Sequence, residues 1–283
     1  RVRRAHVRAR AVNRAPATAK LNLALVVGPK RDDGRHEVAT VLQRIDLADR
    51  VRVEPADALR IEGFPEDTIV REALQRLAEA ARAEPRWDAR IWKNIPVAAG
   101  LGGGSSDAAT ALRLANATLP EPLPGELLHE LAAELGADVP FFLSNGPQLG
   151  TGTGTRLAPL DLPQDYWVVL LLPHDTRKFS TAEVYGAFDG RGGADGFDKR
   201  LAQLERALGE IRRPRDLAAL PPNDLASSAH AEKMRALGAF RADVSGAGPT
   251  VYGLFLHREP AVAAERELRA FGRTWVTVPT WYG

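Results

Sequence analysis

The run Pro96-Val97-Ala98-Ala99-Gly100-Leu101-Gly102-Gly103-Gly104-Ser105-Ser106-Asp107 decides how this chain of 283 residues is read. Four glycines fall within five positions. The segment before them, 87–92, is strand-like. After them Ala108, Ala109, Leu112 and Ala115 keep a helical period, with Ser105 or Ser106 as the expected N-cap. A loop that lacks Cβ atoms exposes successive backbone N–H groups, and the helix behind it adds the positive end of its dipole. That combination suits a phosphate chain, and Ser105 and Ser106 offer hydroxyls to phosphate or Mg²⁺. The loop is not a Walker motif, because no Lys follows the glycines. It is not a dinucleotide fingerprint either, because Ser105 stands where the third glycine belongs. The plain alternative is a flexible connection.

Outward from the loop, the pattern predicts strands over 20–27, 38–47, 50–54, 167–172, 251–256 and 275–278. Helical spacing begins at Thr68 and recurs over 125–135, 198–211, 229–237 and 260–270, with Gly136 as a C-terminal stop. Residues 189–196 (Asp-Gly-Arg-Gly-Gly-Ala-Asp-Gly) read as a flexible surface loop. Strands and helices mix without a regular βαβ rhythm, which favours an α+β fold over a doubly wound sheet.

Composition removes several classes. The chain has no Cys, so it has no disulfides and no Cys-ligated zinc or iron–sulfur site. The six histidines are isolated, with no pair at ligand spacing, so no metal site is expected. The longest apolar run, 167–172, falls far short of the roughly 20 residues a membrane span needs. The formal charge of +2, from 38 basic and 36 acidic side chains, is misleading. Six of the arginines (Arg1, Arg3, Arg4, Arg8, Arg10 and Arg14) sit in the first fourteen residues with no acid. Without them 32 basic groups face 36 acidic ones, so the body is mildly acidic. Such an arm suits nucleic acid or phospholipid, a transit segment, a solvated tail or a first edge strand.

Residues 96–109 resemble the nucleotide-binding motif of the GHMP kinases, whose Gly-Leu-Gly-Gly-Gly-Ser-Ser is unbroken at 100–106. Within that family the likeness is narrowest to members acting on the cytidine diphosphate adduct of methylerythritol. Ala-Lys-Leu-Asn-Leu stands at 19–23, and Asp-Gly-Arg-His-Glu at 33–37 resembles the family's Asp-Gly-Tyr-His-Glu. Leu-Gly-Ala-Asp-Val-Pro-Phe at 135–141 and Ser-Gly-Ala-Gly-Pro-Thr at 245–250 follow in family order, as does Ser-Thr-Ala-Glu-Val-Tyr at 180–185.

The resemblance implies an ATP-dependent, cytoplasmic kinase of two domains, nucleotide-binding over 1–158 and substrate-binding over 159–283, with the active-site cleft between them. It implies that residues 96–106 hold ATP and that Mg²⁺ arrives with the nucleotide. Asp138 is the implied catalytic base and Lys20 its cationic partner. Asn22, Arg35, His36, Thr181 and Tyr185 are the implied acceptor contacts, with Tyr185 stacking on cytosine. The partner is then a small molecule, with no membrane and no nucleic acid, and the chain is a monomer or homodimer.

Each residue also has an ordinary reading. An Asp in a turn is usually structural, a strand Lys can snorkel, a lone His can be mere packing, and Tyr185 lies one helical turn from Thr181. Two positions depart from the family: Arg35 replaces the usual Tyr, and Thr18 stands where proline is expected. Arg35 keeps open a kinase for another alcohol or for an isoprenoid or sugar phosphate. The arm keeps open a nucleic-acid-binding protein, and a catalytically silent nucleotide-binding homologue is the remaining alternative.

Overall fold

Residues 13–64, 68–174 and 180–280 are described by a computed structural model; most of the arginine-rich arm, and Phe179 beside the 180–185 motif, lie outside them. The chain opens with a long antiparallel pair, β1 (Arg14–Lys30) and β2 (His36–Pro55), turned at Asp33–Gly34. From Ala17 to Val27 every residue of β1 is buried, because both faces of the strand are covered. The two strongly polar side chains in that run, Lys20 and Asn22, must therefore find partners inside the protein.

The pattern predicts two strands over 38–47 and 50–54, whereas the structure has one. The acidic residue that interrupts the apolar alternation, Asp49, stays in the ladder opposite Ala17. Its carboxylate is satisfied internally by the backbone N–H of Ile95, among others. A charge in a strand pattern thus marks a buried partner here rather than a strand end. Along the edge of β2 that β1 leaves open, β4 (Trp87–Trp92) pairs with its C-terminal end and is extended by β3 (Arg60–Glu62), while β5 (Gln148–Gly152) pairs with its N-terminal end and is extended by β6 (Arg156–Pro159).

Helices α1 (Thr68–Ala80), α2 (Gly103–Asn116) and α3 (Gly125–Leu135) cover one face of this sheet. Leu74, Leu77 and Leu112 meet Val51, Val53 and Ile91 in a single core cluster. A second sheet follows, β10-β7-β9-β8, built from β7 (Trp167–Pro173), β8 (Arg241–Val244), β9 (Val251–Phe255) and β10 (Gly272–Thr277), all antiparallel. Leu21, Leu23, Val41 and Ile45 of the first sheet pack with Val168, Leu170, Tyr252 and Leu254 of the second, sharing the cluster with Leu204 of α5 (Phe197–Glu210). Helices α6 (Ala229–Ala236) and α7 (Arg258–Leu268) pack with the second sheet in a further cluster.

Two further expectations change. Helix α2 begins at Gly103, earlier than Ser105, and its N-cap Gly102 is in the left-handed region with no side-chain cap. Helix α4 (Thr181–Gly190) takes the first two residues of the expected 189–196 loop. Its start is set by a capping box in which Ser180 accepts from the Glu183 N–H and Glu183 accepts from the Ser180 N–H. The box draws the Glu183 carboxyl below its ordinary range, because the ionised form accepts both Ser180 donors.

Candidate active site

The glycine-rich loop is held by a second one. Ser245 donates from Oγ to the Gly100 carbonyl at 3.0 Å, and the Thr250 N–H reaches the Ala99 carbonyl at 3.2 Å. From the other side the Lys20 N–H donates to Leu101 O at 2.9 Å. Gly100 has φ +78°, and a Cβ there would stand 2.4 Å from the Ser245 carbonyl oxygen. Gly102, at φ +70°, leaves room for the Lys20 stem and the Phe142 ring, each 3.0 Å from its missing Cβ. These approaches require glycine. The side chains of Ala99 and Leu101 turn into the core, so the loop alternates between anchoring and exposure.

Beyond Gly102 the first turn of α2 starts. The Ser106 N–H bonds back to Gly102 O. Helix geometry leaves the N–H groups before it without intrahelical acceptors, at the positive end of the dipole. Ala98, Gly100, Gly102 and Ser105 reach the wall of a cavity of about 460 Å³. Ser106 is buried, so only one of the two serine hydroxyls faces that space. Val97 points out, half exposed, and Pro96, Gly103 and Gly104 lie off the cavity wall.

Beside the loop, on the same cavity wall, Lys20 and Asn22 project from the same face of β1, two residues apart. Lys20 Nζ donates to Asn22 Oδ1 at 2.7 Å and forms an ion pair with Asp138 Oδ2 at 3.2 Å. Asn22 Nδ2 donates to Thr40 Oγ1, which donates to the Ala24 carbonyl. The chain bulges between Asn22 and Ala24, a device that re-aims side chains beside a site. Lys20 is buried, while Asp138 remains 36% exposed to the cavity. A charged pair with one member wet keeps its attraction without the full desolvation cost of a buried pair.

The Asp138 corner is itself braced. Arg44, paired with Lys20 across the β1–β2 ladder, donates to the Phe141 carbonyl at 3.1 Å and to the Ser144 carbonyl. Its guanidinium lies over the Phe141 and Phe142 rings at 5.5 and 5.8 Å. Burial, with the nearby Arg113 charge, lowers the Arg44 pKa to about 10.

Helix α4 closes the remaining side. Thr181 and Tyr185 line the cavity with Ser180. Burial, followed by the Asp138 charge, pushes the Tyr185 hydroxyl up to about 12, so it stays a neutral donor. His36 is placed differently from the sequence expectation. Its ring does not face the cavity; it stacks behind Tyr185 with centroids 4.8 Å apart, and Nε2 bonds Asp189 Oδ1 at 2.7 Å. Phe188 abuts the same ring edge-on and anchors α4 in a small cluster with Leu25, Val27 and Val38. Arg35 is exposed at the β1–β2 turn, off the cavity wall.

Sequence reasoning missed Thr40, Arg44, Asp189 and Asn223, the last donating to the Val244 and Gly246 carbonyls under the second glycine loop. The available signal was polarity inside apolar strands, which β2 carries at Thr40 and Arg44. Among the described residues no group of three or more His, Cys, Asp or Glu is arranged to hold a metal ion, and no helix is long and apolar enough to cross a membrane.

Comparison with known proteins gives a consistent result. The family model for the GHMP kinases N terminal domain matches residues 68–146, and that for the GHMP kinases C terminal matches 199–274. A 4-diphosphocytidyl-2-C-methyl-D-erythritol kinase of Geobacter sulfurreducens is 35% identical over 92% of this chain and 95% of its own. The enzyme of the same name from Rhodococcus jostii is 38% identical, over 92% and 89%. A solved structure of 4-(cytidine 5'-diphospho)-2C-methyl-D-erythritol kinase superposes with a TM-score of 0.77 at 32% identity, covering 95% of this chain and 100% of the other. The mevalonate kinase of Methanococcus jannaschii, 13% identical with a TM-score of 0.73, shares the fold.

Proposed function

This chain belongs to the GHMP kinase family, and from that premise we propose that it transfers the γ-phosphoryl group of ATP to the 2-hydroxyl of 4-diphosphocytidyl-2-C-methyl-D-erythritol, in the cytoplasm, as a step of isoprenoid precursor synthesis. The observation that carries this reading is the Lys20–Asp138 pair, lining one cavity together with the glycine loop and the start of α2. The narrower substrate rests on the names of the relatives, which align over nearly the whole chain.

Phosphoryl transfer needs little covalent chemistry from the protein beyond alignment and charge stabilisation. Here the loop backbone at Gly100 and Gly102, Ser105 and the helix dipole take the phosphates. The acceptor hydroxyl lies against Asp138, whose ionised carboxylate takes its proton as the new O–P bond forms. The bond from the γ-phosphorus to the β–γ bridging oxygen breaks and ADP departs. Lys20 aims the Asp138 carboxylate, and its ammonium offsets charge on the transferring group. Mg²⁺ arriving with ATP would supply neutralisation of phosphate charge, and the Ser105 hydroxyl at the start of α2 would be a residue to hold that complex.

Tyr185 is the stacking platform for the cytosine, and Thr181 contacts the acceptor. His36 then serves from behind, holding the Tyr185 ring. Asp189→Ala removes the partner of the His36 imidazole, and the acceptor KM is expected to rise by about three- to tenfold while the ATP KM holds. Equal shifts in both constants would mean that the pair merely stabilises the fold. The reading as a whole is tested by steady-state ADP release over a panel of alcohols. Brisk turnover of another alcohol with none of the cytidylyl substrate would overturn the assignment and leave the kinase intact.

A further inference from the structure

Below the glycine loop lies a buried charge cluster that the mechanism above does not use. Asp49 of β2 and Asp107 of α2 are both fully buried. Lys93, the first residue beyond β4, reaches both: its Nζ donates to Asp107 Oδ2 at 2.7 Å and to Asp49 Oδ2. The other Asp49 oxygen accepts the N–H of Ile95 at 2.8 Å and that of Asn94. Lys93 Nζ also stands 3.3 Å from the position a Cβ on Gly103 would occupy.

One ammonium therefore ties together the two ends of the loop: the strand exit at 93–95 through Asp49, and the first turns of α2 through Asp107. Between those ends the backbone passes through Ala98, Gly100 and Gly102 at φ +55°, +78° and +70°. A free chain seldom holds three such conformations within five residues, least of all with an alanine among them. Closing the neck of the loop removes most of the alternatives.

We propose that Asp49, Lys93 and Asp107 form a staple that fixes the shape of the nucleotide loop, acting as positioning residues for ATP through the backbone of residues 96–104. The proposal rests on the reading of that loop as the nucleotide site. Its charges cannot be relaxed cheaply. Removing the ammonium leaves two carboxylates in a dry interior, and removing one carboxylate halves the ammonium's compensation. Burial alone would lower the Lys93 pKa, but Asp107 and Asp49 outweigh it and raise the value, which keeps the bridge charged. The staple grips the loop ends rather than the acceptor wall. Lys20, Asp138 and Tyr185 make none of its bonds.

The test is steady-state ADP release by the full chain with ATP and acceptor varied separately, together with calorimetric titration of ATP in the absence of acceptor. Asp107→Asn and Lys93→Met are expected to raise the ATP KM and Kd by about tenfold or more, with the acceptor KM within about twofold and kcat within about threefold. Lys93→Arg, which can still bridge two carboxylates, is expected to recover most of that loss. Unchanged ATP constants in Asp107→Asn, or ATP and acceptor constants that rise together, would overturn the staple while the nucleotide reading stands. Absence of ATP binding in the parent chain would overturn the nucleotide reading itself, and the staple's role with it. If Lys93→Met does not fold, Asp107→Asn and Lys93→Arg, which keep the shape and the bridge respectively, decide the question.

Discussion

Replacing Asp138 with alanine is expected to lower kcat by about 10²- to 10⁴-fold, the range in which a positioned general base contributes. ATP affinity and thermal stability should stay close to the parent values. The reason is geometric. Asp138 is 36% exposed and makes its ion pair with Lys20 at the cavity wall, so its removal opens no core cavity. Lys20 keeps its bond to Asn22, and its stem remains packed against Gly102. Nothing that holds residues 96–106 passes through the Asp138 carboxylate. Asp138→Asn gives a finer test, since it preserves shape and hydrogen bonding but cannot take a proton. It should be nearly as inactive as the alanine variant. Residual kcat within about tenfold of the parent would assign the proton to another acceptor. A parallel fall in ATP affinity would instead make Asp138 a nucleotide contact.

The parts of this site that were legible in the sequence are those whose chemistry is local. The glycines of 100–104 announce a backbone that approaches something closely, and the structure supplies the neighbour, the carbonyls of Ser245 and Gly248. Lys20 and Asn22 share a strand face by alternation alone, and the Leu135–Pro140 corner carries Asp138 to the same wall. What was not legible depends on pairs far apart in the chain. His36 and Asp189 are 153 positions apart, and nothing around either predicts the other. Without that bond His36 reads as a free imidazole ready for a substrate; with it, the ring is a support behind Tyr185.

The same blindness split β2, because a buried aspartate resembles a strand terminus until the amides that satisfy it are known. Helix α4 escaped for a different reason: two glycines among its ten residues, Gly186 and Gly190, weaken its pattern. It exists through the Ser180–Glu183 box and the burial of Phe188. The departure at Arg35 also changes meaning. It lies on an exposed turn, off the cavity wall.

Gly100→Ala is expected to be the most damaging single-methyl change in the loop, and Gly104→Ala a mild one, although both alter the same motif. At Gly100 the added Cβ would lie 2.4 Å from the Ser245 carbonyl oxygen and 2.9 Å from that of Gly248, both backbone atoms, at a φ of +78°. The left-handed conformation alone costs an alanine about 1 kcal/mol or more. The steric clash cannot be relieved by a rotamer. The two glycine loops must separate, which breaks the Ser245–Gly100 bond and strains the neighbouring Thr250–Ala99 bond. The separation also moves Gly246, whose missing Cβ stands 3.4 Å from Lys20 Nζ, so the catalytic wall shifts with the nucleotide wall. We therefore expect a loss of several kcal/mol in stability, of the order seen when a packed site is overfilled, together with loss of ATP binding. Gly104 is helical with its nearest neighbour, Ile69 Cδ1, at 3.7 Å, an ordinary contact. Alanine there should hold or raise stability, since glycine inside a helix is about 0.5–1 kcal/mol worse. Chemical denaturation of both variants, followed by ATP titration, separates the two. If Gly100→Ala unfolds at the parent midpoint and still binds ATP, the clasp between residues 99–101 and 245–250 does not shape the site.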